Sequence, residues 1–168
     1  MTAPEPIADG GAPNNVLAAN DSIYMVSTEG SLNGGTTDHL LALNPADLSA
    51  RWQVDREVDP TWSTHIQLHA VFTDALLLSS VRSDQGKAVG EVLEELDSST
   101  GKLVKSHTTP LNQFIVLVTP STIYTIKVGP TGDDKSTIYS IDRQTDKERW
   151  SLSIHDPTNI AEEDGVVY

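Results

Sequence analysis

The stretch His65-Ile66-Gln67-Leu68-His69 is where residue type and spacing first suggest metal chemistry. On a helix, two histidines four apart share one face and suit zinc. On a strand they also share a face, but lie about 13 Å apart, too far for one ion without a bend. No third ligand stands nearby, so solvent-facing or hydrogen-bonded imidazoles are the simpler reading. The other histidines, His39, His107 and His155, are scattered. Carboxylates adjoin at Glu94-Glu95, Asp133-Asp134 and Glu162-Glu163-Asp164. Neighbours on a strand face opposite ways, which denies Glu94 and Glu95 the role of an acid–base dyad. Asp133-Asp134 sits in a polar turn that lacks the longer ladder of oxygen ligands a calcium loop needs.

Nucleophile and phosphate chemistry fare no better. There is no Gly-x-Ser-x-Gly elbow. Gly10-Gly11 and Gly34-Gly35 lack the following Lys and Ser or Thr of a phosphate-cradling loop. The chain has no cysteine, which removes thiolate catalysis, disulfides and thiolate metal sites together. Asn20-Asp21-Ser22 matches a glycosylation acceptor but reads as a tight turn. Trp62 could line a ligand groove, although packing beneath a connecting loop accounts for it more simply. No catalytic, cofactor-binding or metal residue is therefore assigned, and no cofactor is expected.

The balance of charge sharpens the exclusions. Against 11 Lys and Arg stand 24 Asp and Glu, a formal net charge of −13 on 168 residues. Nucleic-acid affinity rests on cations that neutralise phosphates, so a chain this acidic is expected to bind none. The same field argues against anionic lipid surfaces. Residues 1–15 carry neither the basic nor the apolar region of a secretory signal and read as a linker or disordered N-terminus. No apolar run approaches the ~20 residues of a membrane span, so membrane insertion is not expected. A 38% hydrophobic and 21% charged composition fits a globular chain with a core.

What positions all these side chains is a set of short β-branched and aliphatic runs separated by turn residues, the pattern of an all-β protein. One helical stripe exists, with apolar residues at 88, 89, 92, 93 and 96, but its neighbours place it on a strand. Three segments align. Asn20–Ser27 is followed by Leu40–Asn44 and then Ala50-Arg51-Trp52. Thr73–Ser79 is followed by Leu93–Asp97 and then Ser98-Ser99-Thr100-Gly101-Lys102. Ser121–Ile126 is followed by Ile138–Asp142 and then Glu148-Arg149-Trp150. Asn44 to Trp52 is eight positions, and so is Asp142 to Trp150. Asn44, Asp97 and Asp142 recur at about 53 and 45 positions, with length variation in the loops.

Units of 40–50 residues with three or four short strands cannot bury both faces alone, and their stacked form is the β-propeller blade. Asp or Asn at the first corner caps an amide two residues on. Gly101 supplies a positive φ there. Trp52 and Trp150 each offer an apolar plate suited to wedging between blades. The expected fold is all-β: a propeller fragment of about three four-stranded antiparallel blades (16–56, 70–108, 114–155) and the start of a fourth from 161. Three blades do not close a ring, so the pattern reads as part of a longer chain.

These segments resemble the quinoprotein-like (PQQ-type) propeller family, whose blades carry a pattern near Ala-x-Asp-x-x-x-Gly-x-x-x-Trp. Ala42 to Trp52 keeps Ala and Trp, with Asn44 for Asp and Leu48 for Gly. Glu95 to Lys105 keeps Asp97 and Gly101 but has Lys105 for Trp. Ser140 to Trp150 keeps Asp142 and Trp150, with Asp146 for Gly. The resemblance implies a blade-packing role for Asn44, Trp52, Asp97, Gly101, Asp142 and Trp150. It leaves three functions in view: a non-catalytic scaffold or recognition module, part of a quinone-dependent dehydrogenase, or an outer-membrane assembly scaffold. The dehydrogenase would need an Asp base, calcium ligands and often a vicinal cysteine pair, none of which aligns here. The partner expected is another protein or the remaining blades, and the resemblance suggests an extracytoplasmic setting.

Overall fold

A computed structural model describes residues 15–19, 21–30, 36–58, 66–73, 75–85, 87–129, 135–155, 162–163 and 166–167. The protein is all-β, with no helix among the described residues. Three four-stranded antiparallel sheets follow one another, each a simple meander. The first holds β1 (Asn15–Ala19), β2 (Ser22–Gly30), β3 (Thr36–Leu43) and β4 (Ala50–Glu57). The second holds β5 (Gln67–Val71), β6 (Ala75–Asp84), β7 (Lys87–Asp97) and β8 (Leu103–Thr108). The third holds β9 (Gln113–Val118), β10 (Thr122–Lys127), β11 (Ser136–Asp142) and β12 (Glu148–Ile154). A short hairpin follows, β13 (Glu162–Glu163) and β14 (Val166–Val167).

The helical stripe from 88 to 96 is strand β7, in line with its neighbours. The second sheet begins at Gln67, slightly ahead of position 70, because Ile66 is already buried against the first sheet. β1 begins at Asn15, the last residue of the expected linker, while residues 1–14 lie outside the described set. Outside it too lie Gly34-Gly35, Asn20, Trp62, His65 and Asp133-Asp134.

Alternation along the strands explains where the core sits. Tyr24, Val26, Leu40 and Ala42 of the first sheet meet Leu68, Leu76, Leu78 and Leu96 of the second. From the second sheet's other face, Leu77 and Leu93 meet Ile115, Ile123 and Ile141 of the third. The middle sheet is thus covered on both sides. That is why β6 opens with the run Ala75–Ser80, every residue of which is buried.

The third and fourth strands of each sheet are joined by the same turn. Asn44, Asp97 and Asp142 each accept a backbone bond from the residue four on (Leu48, Gly101, Asp146), at 2.8 Å in all three. Each first-corner residue's N–H then donates to the carbonyl five on. Their side chains cap the amide two residues on, at 3.1, 3.0 and 3.1 Å. The fifth turn residue is left-handed every time, with φ of 57° at Leu48, 70° at Gly101 and 56° at Asp146. A register shift precedes each turn, between Ala42/Leu43, Glu95/Leu96 and Ser140/Ile141. Such a bulge bends the strand and increases its local twist.

Candidate functional site at the seams between sheets

The side chains singled out by type meet at the two seams. At the first, Trp52 lies across the second sheet's turn. Its indole Nε1 donates to the Ser98 carbonyl at 3.0 Å, and Tyr24 Oη reaches the same oxygen at 3.3 Å. The two rings are tilted by 45° with centroids 6.1 Å apart. A Cβ on Gly101 would stand 2.7 Å from the Trp52 ring, so close approach requires glycine at a turn position whose left-handed φ already favours it.

At the second seam the position of Trp52 is taken by Lys105, and the position of Gly101 by Asp146. Lys105 Nζ donates to the carbonyl of Arg143, the residue equivalent to Ser98, at 2.5 Å, and to that of Gln144 at 3.1 Å. Asp146 completes the exchange with a salt bridge to Lys105 at 2.9 Å, and His107 Nδ1 meets the same carboxylate oxygen at 3.2 Å. An ammonium and a carboxylate thus replace a ring on a glycine. The slender lysine stem leaves an open cleft of about 420 Å³ lined by Phe72, Val104, Lys105, Pro120, Arg143 and Gln144, among others.

This cleft makes a mutational prediction. Lys105→Trp alone should destabilise by about 2 kcal/mol, because the ring meets the Asp146 side chain and strips it of its partner. Lys105→Trp with Asp146→Gly should recover that loss and reach or exceed wild-type stability, read as the urea midpoint. A double variant no better than Lys105→Trp would mean that the two seams are not built alike.

Glu94 and Glu95 do face opposite ways, and each serves a different neighbour. Glu94 pairs with Arg56 of the first sheet. Glu95 takes a two-pronged contact from Arg143 of the third, at 3.1 Å from Nε and 2.6 Å from Nη2. Arg143 also donates to the Pro120 carbonyl at 3.0 Å and lies 4.7 Å over the Phe72 ring. A second set of latches is not evident from residue type. Asp38, only 1% exposed, accepts the Ile66 N–H at 3.0 Å as the chain enters the second sheet. Glu91 accepts the Ile115 N–H at 2.5 Å as it enters the third, and burial holds its carboxyl above the usual range. Both acids stand six residues before the first-corner residue of the turn, Asn44 and Asp97 respectively. That constant spacing is the signal the sequence offers for them.

The remaining candidates are local. His69 is hydrogen-bonded to Ser79 Oγ at 2.7 Å across β5 and β6. Asp142 is held well below the ordinary carboxylate range by the Arg149 guanidinium and the Thr145 amide and hydroxyl. Trp150 leans on Tyr124 at 6.0 Å and is 39% exposed. Among the described residues no three His, Asp or Glu are grouped to hold a metal ion, and no helix is long and apolar enough to cross a membrane.

His39 sits between Asp55 at 2.9 Å and Glu29 at 3.2 Å on neighbouring strands. Pairing with Asp55, more than that with Glu29, raises the imidazole above its ordinary value of 6.5. A group whose folded value is raised contributes fully below its unfolded value, and the contribution fades as pH climbs through the folded value. Asp55 is pushed down by the same pair, so its share is lost only as pH falls through the lowered carboxylate value. The stability gap between wild type and His39→Gln should therefore be widest near pH ~5–6 and shrink above pH ~7, by under ~1 kcal/mol. Thermal unfolding across that range measures it; a gap that widens with pH would reverse the assignment.

Comparison with known proteins gives no match, either to a protein-family model or to a curated protein.

Proposed function

We propose that this chain is a stretch of a quinoprotein-like β-propeller, three blades and the start of a fourth, that acts as a non-catalytic scaffold or recognition module. The observation that carries this reading is the employment of its charged groups. Arg56, Glu94, Glu95, Lys105, Arg143 and Asp146 each pair across a seam. A general acid, a base or a ligand set has to be free to meet a substrate, and these groups are committed to holding one sheet on the next. The Trp52 plate does the same work by wedging, while Asn44, Asp97 and Asp142 cap their own turns. Such spacing of four-stranded units, each packed only on its neighbours, supports radial stacking.

Titration of the chain with pyrroloquinoline quinone and calcium, followed by absorbance, tests the reading. No spectral change is expected. A saturable shift would overturn the non-catalytic role in favour of the quinone-dependent dehydrogenase. Isolation of outer-membrane assembly components on the immobilised chain would narrow the scaffold role to that setting.

A further inference from the structure

We infer that the cleft at the second seam is a binding site for a neutral, planar aromatic ring of about the size of indole. The inference rests on the recognition reading and names the chemistry that is recognised.

Position by position, the second seam exchanges a filled place for an open one. Glu95 pairs in register with Lys105, where the first sheet pairs Ala42 with Trp52 and the third pairs Ser140 with Trp150. The first seam seats an indole of the chain's own. The second, with a lysine stem in that register, keeps a cleft of about 420 Å³. Small-molecule sites run from ~300 to ~1,000 Å³. The preceding residue is exchanged as well. It is an exposed arginine in the first and third sheets, Arg51 and Arg149, but Val104 in the second. Val104 lines the cleft and is 65% exposed. An aliphatic side chain thus faces solvent where both sister strands carry a cation.

Charge sets the class of ligand. The cations of this seam are matched by carboxylates, Lys105 by Asp146 and Arg143 by Glu95. A charged ligand meets no unpaired counter-ion there, and the net charge of −13 repels anions further. What the walls offer is apolar and stacking surface from Phe72, Val104, Pro120 and the Arg143 guanidinium. One face of that guanidinium lies 4.7 Å over the Phe72 ring. Its other face offers a second ring the same attraction between cation and π surface. Glu95 and the Pro120 carbonyl hold the guanidinium plane from Nε, Nη2 and Nη1, so it is set before a ring enters. At the rim, the exposed Gln144 amide supplies donor and acceptor for one polar edge of the ligand.

The test is an NMR titration of the whole isotope-labelled chain. Indole should give saturable shifts at the Val104, Lys105 and Gln144 amides, with a Kd of ~1 mM or tighter. Cyclohexanol, which has no π face, should bind about tenfold more weakly. Val104→Arg restores the residue of the sister strands at an exposed position. It should weaken indole binding about tenfold, while circular dichroism and the urea midpoint stay those of wild type. Lys105→Trp with Asp146→Gly, which seats a ring in the seam, should lose indole binding altogether. A blocked Gly-Trp-Gly peptide names the source of the ring. Binding tighter than that of indole assigns it to a tryptophan of a protein partner, and equal or weaker binding to a free aromatic molecule; both support the site. Three results would overturn the inference: no saturable shift with indole, equal affinity for cyclohexanol, or undiminished indole binding in folded Val104→Arg. A quinone-induced spectrum that persists in Val104→Arg would instead sink the scaffold reading and leave the cleft standing.

Discussion

Gly101→Ala is expected to cost about 3 kcal/mol, although it adds one methyl group at the edge of a turn. A left-handed φ of 70° charges an L-residue ~1–2 kcal/mol. The new Cβ then stands 2.7 Å from the Trp52 ring, which has to lift. Lifting stretches the 3.0 Å bond from Nε1 to the Ser98 carbonyl, worth ~1 kcal/mol, and loosens the Tyr24 contact. Trp52→Ala should cost a similar ~3 kcal/mol by removing the plate itself. The double variant decides the mechanism. With the ring gone, the alanine has nothing to strike and only its backbone penalty remains, so the two costs should fall short of additivity by ~1–2 kcal/mol. Denaturant unfolding of the four proteins gives this number directly. Additive costs would mean that ring and glycine act independently, and the wedge would have to be abandoned.

Asp38→Ala is expected to destabilise by a comparable ~3 kcal/mol, against much less for Asp38→Asn. The carboxylate is buried at 1% exposure and accepts from Thr28 Oγ1 at 2.6 Å and from the Ile66 amide at 3.0 Å. Alanine leaves that buried amide without its acceptor, a loss of ~1–3 kcal/mol, and adds a small cavity. Asparagine keeps one oxygen for the amide. Hydrogen exchange separates this local account from a general weakening. The Ile66 amide should lose protection in Asp38→Ala well before the centre of β6 does. Equal loss at both places would show that Asp38 holds the whole sheet rather than the point where the chain enters it.

Much of this architecture is legible in the order of residues alone. The turn residues, the glycine and the short aliphatic runs of β2, β3, β6, β7, β10 and β11 are local signals, and successive strand residues face opposite ways. The opposite facing of Glu94 and Glu95 follows from the same rule. Their partners do not, since Arg56 and Arg143 lie 38 and 48 residues away and a sequence spacing says nothing about which sheet edge comes round to meet which. Asp38 and Glu91 stay hidden because a lone acid on a strand looks solvated. Only the neighbouring sheet's backbone amide, reached through a loop, gives each its purpose. The opening strands β1, β5 and β9 are the hardest to locate. They are 5 or 6 residues long and contribute few core positions of their own. At Lys105 the eye expects a failed tryptophan. The structure places a donor there that meets the same carbonyl by charge in place of a ring.

The peptide bond between Glu94 and Glu95 has a mechanical meaning. One residue is tied by its guanidinium partner to the sheet before, the next to the sheet after. Tension pulled between Arg56 and Arg143 would run through the shortest covalent bridge a chain can offer, with almost no slack to take up. A displacement at one seam is therefore handed to the other through two adjacent residues of a single strand.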